Sequence, residues 1–386
     1  MKILMVLESD FPPDIRVENE ILALVNAGHE MHIACYSHKK QFEVPGDLPY
    51  TIHKTYIPPL VYKVSVGALK SEIYFNFWRK VLKGLFSKIT FDAIHIHDLP
   101  LAKVGYETGR KQGIPFTLDL HENWPALLSI SKHTNTMLGK RLSSRSQWEE
   151  YEKKYVSLAD KVIVVVDEAK ERISGLGVDP SRIYIVSNTI NPAYFDFPEQ
   201  EKDGEYITMV YGGGINYHRG LQTVIEALPE IAAQIPNIRV WLIGKGSYVK
   251  ILKKQASELG VDRYIEFFDW MPLKELLKRV SQADIALIPH IKSAHTDSTI
   301  PHKLFQYMYA GIPTLASDCD PLQRILLETS TGAIFKDQDP KNFASLLFKL
   351  LQDSYFRERI PENGKMWVEK KYNWDADAAV LVSMYQ

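Results

Sequence analysis

The chain has 386 residues, enough for roughly two domains, and its 45% hydrophobic and 24% charged content is that of an ordinary soluble globular protein. A formal net charge of -1 excludes wholesale nucleic-acid binding, which needs a clear cationic excess, so no nucleic-acid partner is expected. The two cysteines, Cys35 and Cys319, match no metal or redox spacing and read as small buried thiols in a reducing compartment.

The first ten residues, MKILMVLESD, carry an apolar run too short for a signal sequence or a membrane span, and are expected to form a first strand in a cytoplasmic protein. Short β-branched runs then alternate with longer amphipathic segments, the pattern of parallel sheets covered by helices. KILMVLES, MHIACYS, DAIHIHD, PFTLDLHE, DKVIVVVDE and a short IYIVSN predict a first sheet. YITMVYGGG, RVWLIGKG, IEFFDW, DIALIPH, IPTLAS and TGAIF predict a second. The stretch 188–205 between them has the Pro, Asn and acid content of a linker. The expected organisation is a first domain over 1–190, a linker over 191–205, a second domain over 206–371, and a C-terminal segment 372–386. Both domains are read as doubly wound α/β.

In such sheets ligands bind beyond the C-terminal strand ends. There the first domain places His95, His97 and Asp98 after one strand and Asp119, His121 and Glu122 after the next. Strand alternation puts His95 with His97, and Asp119 with His121, on shared faces. A His-x-His with nearby acids also suits a metal, but nothing in the spacing defines a ligand set, and a hydrogen-bonding cluster for a sugar is preferred. In the second domain Gly212, Gly213 and Gly214 follow a strand and precede an amphipathic helix, an arrangement open to a phosphate or to a plain tight turn. Arg219 in the same loop favours an anion. The next strand runs into Gly244, Lys245 and Gly246, where a nicotinamide-binding domain would want an acid, so an oxidoreductase is disfavoured.

Lys303 stands on the first turn of a helix preceded by Pro301 and His302. Residues 302, 303 and 306 share one helical face, so that His302, Lys303 and Gln306 would look toward a ligand. The triplet Asp318-x-Asp320 follows a late strand and reads as turn chemistry. Residues 54–88 hold seven Lys or Arg against the single acid Glu72, interleaved with Tyr, Phe and Trp, and Lys132, Lys140, Arg141 and Arg145 add a second basic stretch. The alternatives are a solvated face or peripheral contact with an anionic membrane surface at the inner face of the cytoplasmic membrane.

The ordered series FPPDIRVENEILALVNAGHEMHI, DAIHIHDLP, LDLHENW, ADKVIVV, IYIVSNTIN, GGGINYHRGL, WLIGKG, ADIALIPH and PHKLFQYMYAGIPTLASD resembles glycosyltransferase family 4, retaining enzymes of the GT-B fold. The resemblance implies two Rossmann-like domains with an interdomain cleft, the C-terminal segment YNWDADAAVLVSMY packing back onto the first domain. It implies a metal-independent hexosyltransferase without a cofactor, moving a sugar from a nucleotide-diphosphate donor to a glycan or lipid-linked acceptor in polysaccharide or glycoconjugate biosynthesis. His121 matches the family histidine at the donor sugar. Arg219 replaces one of two family cations and Gly214 the other, leaving Lys303 or Lys245 to supply the second. The two family glutamates fall on Ser298 and Gln306, with Asp297 as a stand-in beside the first. The donor side thus comprises Gly213, Gly214, Lys245, Asp297, Ser298, His302 and Gln306, with Arg219, Lys303 and His121 as the catalytic set. The acceptor side comprises Arg16, His97, Asp98 and Glu122. Loss of both glutamates leaves a weakly active or binding-only relative as the alternative.

Overall fold

The computed structural model describes residues 1–130, 143–187, 189–195 and 204–386. They form two compact units, Met1–Ser187 with Asp377–Gln386 and Asn188–Ala376. The C-terminal segment thus belongs to the first unit from Asp377 onward, and the helix Trp374–Ser383 leads into it. Of the stretch expected as a linker, residues 196–203 lie outside the described residues, as do Lys132, Lys140 and Arg141 of the second basic stretch.

In the first unit the described strands are β1 (Lys2–Val6), β2 (Glu30–Ser37), β3 (Thr51–Tyr56), β4 (Ala93–His97), β5 (Phe116–Leu120), β6 (Lys161–Val164) and β7 (Ile183–Ile185). They make one sheet in the order β3-β2-β1-β4-β5-β6-β7, parallel throughout. The strand β3 was not expected. Its sequence TIHKTY buries only Ile52 well, as suits an edge strand, and lacks the apolar run by which interior parallel strands are recognised.

The second unit holds β8 (Ile207–Gly212), β9 (Ile238–Ile243), β10 (Ile265–Phe268), β11 (Ile285–Ile288), β12 (Thr314–Ser317) and β13 (Gly332–Phe335). Their order is β10-β9-β8-β11-β12-β13, again all parallel. Strands such as β4 and β11 are buried along their whole length, because helices cover both faces of the sheet. Helices present one apolar stripe to the sheet. The helix Leu221–Gln234 buries Leu221, Val224, Ile225, Leu228 and Ile231 at helical spacing, joining a core with Leu242, Leu287 and Leu315 from the strands.

The two architectures share a rule. Strand order reverses between β1 and β4 in one sheet and between β8 and β11 in the other, the switch points beyond whose strand ends such sheets bind ligands in a crevice.

Candidate active site

In the second unit the crevice is lined from three directions. The chain leaves β8 through Gly213 at φ 137, a conformation that favours glycine. A Cβ added there would lie 2.8 Å from Lys303 Nζ, so the missing side chain is what lets the lysine in. Lys303 opens the helix Lys303–Tyr309 and rests its ammonium 3.7 Å from the centroid of the Tyr211 ring, a cation–π contact. The Tyr211 hydroxyl donates to the Gly214 carbonyl at 2.8 Å, bracing the loop beneath. The helix expected after the glycines starts at Leu221, and the loop before it holds a short turn, Tyr217–Arg219, followed by Gly220.

That turn presents Arg219. Its Nη1 donates to His290 Nε2 at 3.2 Å, which makes His290 a neutral ring with its proton on Nδ1. Arg219 Nε is buried with no partner among the described residues. The charge around it is one-sided. Burial, then the Arg219 charge, pushes the Lys303 ammonium well below its ordinary range. Burial, then Arg219 and Lys303, pushes His218 down to about 4, and burial, then Arg219 and His218, pushes His295 down to about 4. The leading charges on these three groups, Arg219 and Lys303, are positive.

The remaining donor-side residues divide. His302 and Gln306 meet: Gln306 Nε2 donates to His302 Nδ1 at 3.0 Å, while His302 Nε2 donates to the Thr189 carbonyl at 3.1 Å. The amide of Gln306 is thereby oriented, with its N–H side engaged. Ser298 turns back to donate to the Ala294 carbonyl at 2.6 Å. Asp297 pairs with Lys292 at 2.9 Å and accepts the Asp320 N–H at 3.0 Å. Asp320 also pairs with Lys292, and Asp318 accepts the Asp337 N–H at 2.9 Å, so both carboxylates of the Asp-x-Asp triplet serve the local fold. Lys245 stands apart, exposed and 3.2 Å from Asp269, with its backbone carbonyl accepting the Ile215 N–H.

In the first unit β4 and β5 run side by side with His97 opposite Asp119, which brings both polar strand ends together. Asp119 Oδ2 lies 3.3 Å from His95 Nε2, 3.4 Å from His97 Nδ1 and 3.1 Å from His121 Nε2. Burial works against that carboxylate, but the His121 charge and hydrogen bonds from the three imidazoles outweigh it and hold Asp119 well below the usual range. His97 is pushed down to about 3, chiefly by burial. Arg16, in the first turn of the helix Ile15–Asn26, sits 3.6 Å from Asp14, the residue that caps this helix through its side chain. Asp98 follows β4 at φ 66 and ψ 153, a region nearly reserved for glycine, and burial raises its carboxyl against the opposing pull of His121 and Arg16. Glu122 follows β5, half-buried beside the buried His121.

Four groups in these clusters went unread in the sequence. Glu8, just beyond β1, is pushed up to about 8 by burial, with the Asp98 charge adding to the effect. Glu20 shares the buried face of its helix with Val17, Ile21 and Leu24. An acid on the apolar stripe was the signal available for it. His218 and His290 carried no signal beyond their position after a strand.

The sequence matches the description "Glycosyltransferase Family 4" over residues 15–194 and "Glycosyl transferases group 1" over 194–367. It is 22% identical over 396 residues to the phosphatidyl-myo-inositol mannosyltransferase of Mycolicibacterium smegmatis, covering 100% of this chain and 94% of that protein. Among solved structures, a sucrose-phosphate synthase from Thermosynechococcus elongatus superposes with a TM-score of 0.77 at 17% identity, over 100% of this chain and 98% of that one. The Anabaena protein HepE in complex with UDP and glucose gives 0.70 at 14% identity, over 100% and 99%.

Proposed function

The chain belongs to glycosyltransferase family 4, with the GT-B fold, and from that membership we propose that it moves a hexose from a nucleotide-diphosphate sugar to a glycan or lipid-linked acceptor with retention at the anomeric carbon. The observation that carries the reading is the strand-end loops of the second unit, where Arg219 and Lys303 lie close, a buried guanidinium N–H has no partner among the described residues, and Arg219 is the charge that acts on the lysine there. A diphosphate supplies the opposite charge. The match to a structure holding UDP and glucose supports a uridine nucleotide as the first donor to try.

As the bond from the anomeric carbon to the diphosphate oxygen breaks, negative charge grows on the leaving group. Arg219 and Lys303 meet it without having to reorganise. The new bond joins the anomeric carbon to the acceptor oxygen, and the acceptor proton passes to the departing diphosphate. No separate base is required, and no divalent cation is required at the phosphates. Gln306 offers its carbonyl oxygen to the ribose. In the first unit Asp98, Glu122 and Arg16 serve the acceptor.

Among the described residues no helix is long and apolar enough to cross a membrane. The basic stretch of residues 54–88 is narrower than its sequence suggested: Tyr74, Phe75 and Trp78 are buried, Lys54 pairs with Asp10, and Arg79 pairs with Glu72 and Glu107. Leu60, Tyr62, Val66 and Ile73 stay outward, as do Lys63, Lys70, Lys80, Lys83 and Lys88, a pattern that supports peripheral contact with an anionic lipid surface carrying the acceptor.

The deciding experiment offers the protein a panel of nucleotide sugars with lipid and glycan acceptors and measures release of nucleoside diphosphate, in the absence and presence of magnesium. Release without added metal, and a product with the donor's anomeric configuration by NMR, is expected. A strict requirement for added metal, or an inverted product, overturns the corresponding part of the reading.

A further inference from the structure

The cluster at the ends of β4 and β5 is built more tightly than a sugar-binding surface requires. Four ligand-type side chains, Glu20, His95, His97 and Asp119, place one donor atom each within 4.8 Å of one another. All four are sealed, with relative exposures of 1%, 0%, 0% and 0%. The separations of Asp119 Oδ2 from His95 Nε2 and His97 Nδ1, 3.3 and 3.4 Å, match the edge of a tetrahedron around an ion bound at about 2.0–2.1 Å. Glu20 Oε2 points into the same space, 3.8 Å from His95 Nε2, and is buried with no hydrogen-bond partner among the described residues.

We propose that Glu20, His95, His97 and Asp119 hold one first-row divalent transition metal ion, zinc fitting the donor set best, as a structural centre of the first unit. Two imidazoles with two carboxylates suit such an ion, whereas magnesium or calcium would take oxygen donors. Charge points the same way. Glu20 and Asp119 are adjacent buried carboxylates, and two such groups require either a shared proton or a cation between them. Part of an outer shell is in place: His95 Nδ1 engages the Tyr385 hydroxyl at 2.9 Å, leaving Nε2 directed at the centre, while His97 Nε2 is buried with no hydrogen-bond partner among the described residues. His121 is buried against the same donors, its Nε2 3.1 Å from Asp119 Oδ2 and 3.2 Å from His97 Nδ1, so an ion here would fix the position of His121. This departs from the expectation of a metal-free chain and is separate from the diphosphate crevice, which needs no ion.

The test compares the full-length chain with Glu20→Gln, both expressed with zinc, iron, manganese and cobalt supplied, by elemental analysis after gel filtration. The shared-proton arrangement tolerates Gln, an isostere of the protonated acid, while an ion does not tolerate the lost charge. The expected result is about one metal ion per parent chain, at least a tenfold lower content in Glu20→Gln, and a melting temperature that falls on chelation for the parent only. A cobalt-loaded parent should also show the visible absorption of a tetrahedral site. Metal below a tenth of an equivalent in the parent, or equal content in the two proteins, overturns the proposal. Calorimetric binding of UDP, which depends on the other unit, reads out the proposed function independently.

Discussion

The two crevices occupy the same place in their sheets and hold opposite chemistry. In the second unit Lys303 and Arg219 face one another across glycine-lined backbone, surrounded by histidines held neutral. In the first, Asp98, Asp14, Asp119 and Glu20 surround Arg16 beside a row of imidazoles. The same fold thus makes one pocket that lacks an anion and another rich in acceptors. What differs is only the side chains placed after a reversal in strand order. Each pocket is costly to the empty protein in its own way, through like charges in one and buried carboxylates in the other.

The widest test of that contrast is Lys303→Ala. It should weaken nucleoside-diphosphate binding by about 1.5–3 kcal/mol, the range for a hydrogen bond to a charged group, as read by calorimetry. Unchanged affinity in a folded variant would remove Lys303 from the anion site. Lys303→Met in the ligand-free protein should go the other way and raise the melting temperature, because a lysine whose folded pKa is depressed leaves the unfolded chain binding more protons. Stability should accordingly rise with pH toward the unfolded lysine pKa of about 10.4 in the parent, and this rise should be smaller in the variant.

On the acidic side, Asp98→Gly relieves a left-handed backbone and a buried carboxyl at once. The expected gain is about 1–3 kcal/mol in chemical denaturation, together with slower transfer. A destabilised variant would show that Asp98 is held by more than strain. A subtler effect concerns pH. Diphosphate binding favours the ammonium form of Lys303, so its pKa rises on binding and a proton is taken up. Affinity should fall as pH climbs toward the ordinary lysine range, and calorimetry in buffers of different ionisation enthalpy should register the uptake. The smallest change is expected from Lys245→Ala. Its ion pair with Asp269 is solvent-exposed on both sides, and the loss should leave the melting temperature nearly unchanged, with little change in diphosphate affinity.

Much of this was open to reading in the sequence where a single strand or helix carries the information. The buried strands announced themselves as β-branched runs, and the polar residues at or just beyond their C-terminal ends, His97, Asp119, His121 and Arg219, could be picked out by position. What escaped depends on pairing across distance. The strand β3 has no apolar run because one of its edges faces outward, and Glu20 looks like surface charge until its helix is set on the sheet. The roles expected of Asp297 and Ser298 rested on their position in the chain. Their actual bonds, to Lys292 and to the Ala294 carbonyl, follow from a tight local turn that position alone does not disclose.

The loops beneath the diphosphate crevice touch through bare backbone. A Cβ on Gly244 would fall 2.0 Å from the Gly213 carbonyl oxygen, one on Gly246 would fall 1.9 Å from that of Ile215, and one on Gly220 would fall 1.6 Å from that of Pro289. In a saturation mutagenesis screen scored on turnover, these three positions would therefore rank beside Arg219 and Lys303, although no atom they could gain or lose takes part in the chemistry. Sensitivity there would report the tolerance of interlocked main chain, and a screen scored on protein abundance would separate the two kinds of intolerance.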